Sequence, residues 1–362
     1  MDKDFLMNVF FLFAGWILGF LQPAIISFFK RLRKKSLNKK SLEKVITYDP
    51  QDDNIIMIHS WSLSHRLLPH NTIIKYVDSP RNYYYIKDIE EFESIRQGFS
   101  KQNYCGNVCY MVGYKIDHGD NHYGDVFEMT VAPCDYSESL SVSPYLEHHP
   151  DVITQVVNQI NINPYKYFEN AIPSDIFINV MVVSECDNFL VLRRSKAVAS
   201  AQGKWCVGSF ETMEFSLQET AKSDKNFHLL TQRCLEEELD LYQQETLENG
   251  EVVDCYNFNS IFISSISLSL YHMGTLITAV VKVKGVTEGY ITNKILKNAH
   301  SKYEHDGIEW LPFNKKNIKE YIEKDIGYFR NFVNDKKGEW IGYSKWSLYE
   351  LARVYDFDKL LQ

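Results

Sequence analysis

The sequence predicts an α+β fold carried on one membrane-spanning helix, and three observations predict it. Short runs rich in β-branched and aromatic residues, bounded by Asp, Asn, Pro and Gly, recur from residue 54 to residue 283 and read as strands. Windows with apolar residues at helical spacing fall among and after them, at residues 150–162, 233–241, 314–324 and 344–361. Ahead of both lies an uncharged stretch, residues 5–29, longer than the roughly 20 residues that cross a bilayer core.

Within residues 5–29 the only polar side chains are Asn8, Gln22 and Ser27. A cleaved signal peptide starts with basic residues and has a short apolar core, whereas here Asp2-Lys3-Asp4 precedes a long one. Lys30, Arg31, Arg33, Lys34 and Lys35 follow it at once. Basic residues stay on the cytoplasmic side and are drawn to anionic headgroups, so the bulk of the chain is expected inside the cell with membrane lipid as a partner. Gly15 and Gly19 form a small-xxx-small pair, the spacing that lets two helices self-associate, although glycine is also common in membrane helices generally.

Residues 46–170 contain strand-like pieces at 54–59, 72–77, 82–87, 108–115 and 126–131, then a helix at 150–162. Tyr83, Tyr84, Tyr85, Tyr104, Tyr110 and Tyr114 fit either nucleobase stacking or ordinary sheet packing, and packing is the simpler account. The turn residues inside His118-Gly-Asp-Asn-His122 read as a hairpin loop. Seven cysteines without framework spacing indicate reduced thiols, and Cys105 with Cys109 lacks the second pair that a zinc site needs. The net charge of -8 argues against long nucleic acid as a ligand.

Further along, residues 176–184 and 189–194 read as two strands joined around Asp187 and Asn188, followed by Gly203-Lys-Trp205. Gly208, Glu214, Arg233, Leu235, Glu237, Glu238 and Leu241 come next. This series resembles the Nudix superfamily, whose box reads G-x5-E-x7-R-E-U-x-E-E-x-G-U with U aliphatic. The resemblance implies a mixed β-sheet sandwiched by helices, with divalent metal, Mg²⁺ first, serving to neutralise crowded phosphate oxygens. Glu237 and Glu238 both lie one helical turn beyond residues 233 and 234, and Arg233 is spaced to orient Glu237 by an ion pair. The resemblance therefore implies catalytic roles for Glu237, Glu214 and Arg233. It implies metal ligation by Glu237, Glu238 and Glu304, the last standing six residues before Trp310.

Three departures from the box stand out. Eighteen residues separate Glu214 from Arg233 where the family has seven, which asks for a surface insertion around 221–226. Asp240 replaces the helix-ending glycine, and Asp is among the residues that visit left-handed backbone. Cys234 replaces a glutamate, and a soft thiolate suits Mg²⁺ poorly. Glu236 points away from that side of the helix, which leaves Glu211 or Glu214 to compensate.

After the box, residues 261–270 and 275–283 read as neighbouring strands, residues 314–324 as a covering helix and residues 344–361 as a last helix. The chain thus divides into an anchor (1–30), a basic stalk (31–45), a β-rich extra domain (46–170), a Nudix-like domain (171–333) and a helical extension (334–362). That order is similar to the transmembrane NUDIX effectors associated with CD-NTase enzymes in CBASS antiphage operons. The resemblance implies a single-pass protein of the bacterial inner membrane that senses a cyclic nucleotide and disrupts the membrane of an infected cell. The alternative is a Mg²⁺-dependent hydrolase of nucleoside diphosphates linked to another group.

Overall fold

The computed structural model describes residues 55–78, 83–102, 106–117, 125–198, 201–214, 224–318, 340–341 and 343–354. The expected anchor with Gly15 and Gly19, the basic stalk, Cys105, His118 and His122 lie outside these residues. Among the described residues no helix is long and apolar enough to cross a membrane.

In chain order the first half comprises β1 (Ile55–Ser60), β2 (Thr72–Tyr76), α1 (Ile89–Ser100), β3 (Asn107–Asp117), β4 (Val126–Asp135), α2 (Tyr136–His148), α3 (Pro150–Ile162) and α4 (Pro164–Phe168). Then come β5 (Ile176–Val183), β6 (Asn188–Arg194), β7 (Trp205–Val207), β8 (Ser209–Thr212) and α5 (Phe227–Leu239). The rest comprises β9 (Gln244–Thr246), β10 (Val252–Asp254), β11 (Phe262–Ser269), β12 (Thr275–Lys282), α6 (Glu288–Lys297), α7 (Ala299–Glu304), β13 (His305–Pro312) and α8 (Ser344–Arg353).

The α+β expectation holds, and the central element is a mixed eight-stranded sheet. Its order is β1-β11-β12-β5-β6-β13, with β7 added to β6 and β8 to β5. Only β12 and β5 run parallel; the other pairs are antiparallel. Every residue of β5, β11 and β12 is buried, so these strands are covered on both faces. Part of that cover is α8, where Ser347 meets Asn179 of β5 at 2.5 Å.

β1 lies in the stretch read as an extra region, yet it pairs with β11 at the edge of the main sheet. The remaining strands of that stretch form a separate three-stranded sheet in the order β2-β4-β3. It abuts the main sheet where Val108 bridges to Glu214 and Cys109 Sγ donates to the Met213 carbonyl at 3.6 Å. No disulfide joins the six described cysteines.

One strand expectation fails. Tyr83 to Lys87 turn back on themselves, with the Ile86 amide donating to the Tyr83 carbonyl at 2.9 Å. Asp88 then caps α1 by accepting from the Glu91 amide at 2.9 Å. The cap outweighs the β-propensity of the tyrosines, because it satisfies an amide that the helix start leaves without a partner. Tyr85 and Ile86 bury their side chains from the turn. Helices α1 and α2 were not among the helices expected from the sequence, and α2 carries no strong apolar period.

Candidate functional site

The site begins at Gly208, between β7 and β8. Its φ of +82° lies in the left-handed region, and a Cβ there would stand 2.3 Å from the Val180 carbonyl oxygen of β5. Only glycine lets the chain pass this close to β5 and turn into β8. β8 then pairs with β5, setting Glu211 opposite Ile178, and runs on to Glu214.

Helix α5 supplies the other wall. Asn226 caps it by accepting from the Leu229 amide at 2.9 Å. Phe227, Leu230, Cys234, Leu235 and Leu239 form the buried stripe. The helix stops at Asp240, whose φ of 53° is the left-handed exit anticipated for this substitution. The Leu241 amide closes the end by donating to the Leu235 carbonyl at 2.9 Å.

Arg233 is the hub. Its Nη2 lies 2.8 Å from Asp224 Oδ2 and donates to the Thr212 carbonyl at 2.7 Å. Its Nη1 lies 3.1 Å from Glu211 Oε1, 3.4 Å from Glu237 Oε2 and 3.9 Å from Glu214 Oε1. The anticipated pairing with Glu237 is therefore present, but Asp224 and Glu211 hold the guanidinium more closely. Asp224 sits at the far end of the insertion, where its carbonyl also accepts from Tyr76 Oη of β2 at 3.1 Å. Glu237 is half-exposed and Glu214 is exposed, so both carboxylates reach solvent.

A second cluster forms around Glu238. His305 Nε2 stands 3.3 Å from Glu238 Oε2 and His300 Nδ1 stands 3.8 Å from its Oε1. The His305 contact lacks hydrogen-bond geometry, and Glu238 Oε2 has no hydrogen-bond partner. Burial, and then the nearby Glu304 charge, pushes the Glu238 carboxyl up to about 8. Burial likewise lowers His305 to about 4, so its ring is neutral at neutral pH. Glu304 lies at the end of α7, 3.1 Å from Arg194 Nη2 of β6. Asp306, its neighbour in sequence, instead pairs with Arg193 at 2.6 Å.

Cys234 is fully buried, and burial raises its thiol well above the usual range, with Glu211 and Glu238 adding to the shift. It is a packed thiol rather than a ligand. Glu236 accepts from Gln232 Nε2 at 2.7 Å, away from the carboxylate cluster. Among nearby carboxylates, Glu211 weighs most on the Cys234 thiol. Burial raises Glu211 to about 8 although Arg233 opposes the shift.

All five anticipated residues line one cleft of about 720 Å³, together with Glu211, Arg194 and His300. Tyr136, Ser139, Leu140 and Ser143 of α2 also line it, with Phe177, Phe210 and Tyr343. The volume is within the range of small-molecule sites. Arg194, Asp224 and the α2 wall were missed from sequence, since no motif spacing links them to the box; Glu211 was legible only as an alternative to Glu214.

The donor chemistry fits a hard divalent cation. Glu237, Glu238 and Glu304 each offer carboxylate oxygen, and Glu238 Oε2 is buried without a hydrogen-bond partner. As they stand, no three His, Cys, Asp or Glu side chains among the described residues are close enough to hold an ion.

No protein-family model and no curated protein matches the chain. Among solved structures, DR0079 from Deinococcus radiodurans is similar at 12% identity, over 50% of this chain and 83% of that one, with a TM-score of 0.29. A MutT protein from Methanosarcina mazei Go1 is similar at 18% identity, over 44% of this chain and 91% of that one, with a TM-score of 0.23.

Proposed function

We propose that the cleft is that of a Nudix-like hydrolase, which binds a nucleotide through its phosphates and cleaves a phosphoric anhydride with the help of a divalent cation. The observation that carries this reading is the meeting of Arg233, Glu237 and Glu238 from α5 with Glu304 from α7 on one cleft. A cation such as Mg²⁺, when bound, neutralises phosphate oxygens and acidifies water. Glu237, Glu238 and Glu304 would hold it.

The chain's own residues supply the rest. Arg194, Lys204 and Arg233 bring positive charge to a cleft rich in carboxylates, which lessens the repulsion a phosphate chain would meet there. Asp224 and the Thr212 carbonyl lock Arg233, so its orientation is set before the ligand arrives. Phe177, Phe210 and Tyr343 pack on one another and give the cleft an aromatic wall suited to a base or sugar. The test is Glu237→Gln with Glu238→Gln, which is expected to lower cation-dependent turnover roughly 100-fold or more while leaving the fold intact. Turnover within a few fold of the unaltered chain would remove the box from the chemistry.

A second reading is favoured by Cys234, a fully buried thiol at the position where a hydrolase of this family carries a carboxylate. In it the cleft senses a cyclic nucleotide and the anchor at residues 5–29 damages the membrane, as in the CBASS effectors of similar domain order. Such a sensor needs different affinities for two states, because a ligand that binds both equally shifts nothing.

A further inference from the structure

Asp175, the residue before β5, lines the cleft but belongs to neither the Arg233 nor the Glu238 cluster. Ser139 Oγ of α2 donates to Asp175 Oδ1 at 2.6 Å and accepts from the Asp175 amide at 3.1 Å. Thr212 Oγ1 of β8 donates to Asp175 Oδ2 at 3.4 Å. Both carboxylate oxygens therefore act as acceptors, and each keeps a further lone pair. Burial raises this carboxyl, the two hydroxyls oppose the rise, and no cation among the described residues acts on it. By contrast, Glu211 and Glu237 share Arg233, and Glu304 has Arg194. A carboxylate fixed by hydroxyls in a cleft wall, without positive charge beside it, is one that N–H groups of a ligand would satisfy.

Aromatic rings stand next to it. A Cβ on Gly274 would lie 3.4 Å from Asp175 Oδ1 and 3.0 Å from the Phe177 ring, so carboxylate and ring border the same small space. The Phe177 ring is 5.8 Å from Tyr343 and 6.1 Å from His272, and Tyr343 is 4.8 Å from Phe210. Rings with an acceptor at their edge match a flat heterocycle that carries N–H donors on its rim. Among the common bases, guanine presents two adjacent in-plane donors, N1–H and N2–H, the pair that a carboxylate accepts side by side. Adenine turns a bare ring nitrogen to the same place and meets repulsion.

We infer that the cleft selects a guanine nucleotide: Asp175, positioned by Ser139 and Thr212, accepts from N1–H and N2–H of a guanine packed against Phe177 and Tyr343. This rests on the reading of the cleft as a nucleotide site and adds the base to it. It also gives the region before residue 171 a part in recognition, because Ser139 sets the carboxylate from α2.

The test titrates the full chain, in detergent with Mg²⁺, with the α,β-methylene diphosphates of guanosine, inosine and adenosine, whose bridging carbon blocks cleavage, and reads binding by calorimetry. The guanosine analogue is expected to bind about 10- to 100-fold more tightly than the adenosine analogue, the discrimination of one bidentate base contact. Inosine, with N1–H alone, should fall between them. Asp175→Asn puts a donor where an acceptor stood and is expected to abolish or reverse that order, which a merely structural loss would not do. Ser139→Ala is expected to narrow the preference without reversing it, and covers an Asn variant that fails to fold. Adenosine bound as tightly as guanosine by the unaltered chain, or a guanosine preference unmoved in these variants, overturns the inference and leaves the hydrolase reading in place. Binding of none of the three overturns it too; the hydrolase reading falls with it only if linear anhydrides are also left uncleaved.

Discussion

Arg233 Nη2 stands 2.8 Å from Asp224 Oδ2, and this pair ties the end of the insertion to the helix that carries the box. Both side chains are nearly buried, at 12% and 6% exposure, and Tyr76 of the smaller sheet donates to the same aspartate's carbonyl. A contact so placed sets the position of every carboxylate around Arg233.

Asp224→Ala removes one partner of a buried ion pair and leaves the guanidinium with less compensation. It is expected to destabilise the chain by about 3 kcal/mol, as read from chemical denaturation. A change under about 0.5 kcal/mol, as for an ordinary surface substitution, would show that the pair is not structural.

Gly208→Ala adds a Cβ at 2.3 Å from a backbone oxygen, at a φ that disfavours side chains. Backbone cannot retreat as a side-chain tip can, so the expected cost is about 2 kcal/mol or more with partial loss of soluble protein. Gly203→Ala, whose Cβ would meet nothing within 4 Å, is the comparison and should be milder despite its φ of +69°.

Much of this was legible in the sequence. The two-residue alternatives to a box glutamate were decided by helical geometry: Glu237 and Glu238 fall beside the cleft and Glu236 does not. Asp240 as a left-handed exit, and the β5–β6 and β11–β12 strand pairs, also follow from local patterns. Glu237 was legible as a partner of Arg233, but Asp224 and Glu211 were not, because they reach it by tertiary folding rather than by helical spacing. The same is true of β1, whose pattern marks a strand but cannot name β11 as its neighbour. Residues 83–87 misled because tyrosines favour strands and tight aromatic turns alike.

The stability of the cation-free chain should fall as pH rises. Glu211 and Glu238 have folded-state values near 8, above the ordinary 4.5, so the folded chain holds protons that the unfolded chain releases. Their contribution is complete below about pH 4 and is lost as pH climbs through 8. The thermal midpoint without divalent cation is therefore expected to be lower at pH 9 than at pH 6. Added Mg²⁺ should raise it more at pH 9, where the carboxylates are ionised. A midpoint that rises from pH 6 to pH 9 would contradict the assignment of these buried carboxyls.

For the membrane reading, Gly15→Ile with Gly19→Ile is expected to keep nucleotide binding and to abolish membrane damage in expressing cells, because bulky residues block close helix approach. Undiminished damage, measured by dye entry, would remove helix association from that reading.

The most direct measurement incubates the full chain in detergent with Mg²⁺ and a panel of linear nucleoside diphosphate derivatives, dinucleoside polyphosphates and cyclic oligonucleotides. Thermal stabilisation and chemical conversion are recorded together. The hydrolase account predicts Mg²⁺-dependent cleavage of a linear anhydride that Glu237→Gln with Glu238→Gln abolishes. Stabilisation by a cyclic oligonucleotide recovered intact, with every linear compound uncleaved, would contradict it.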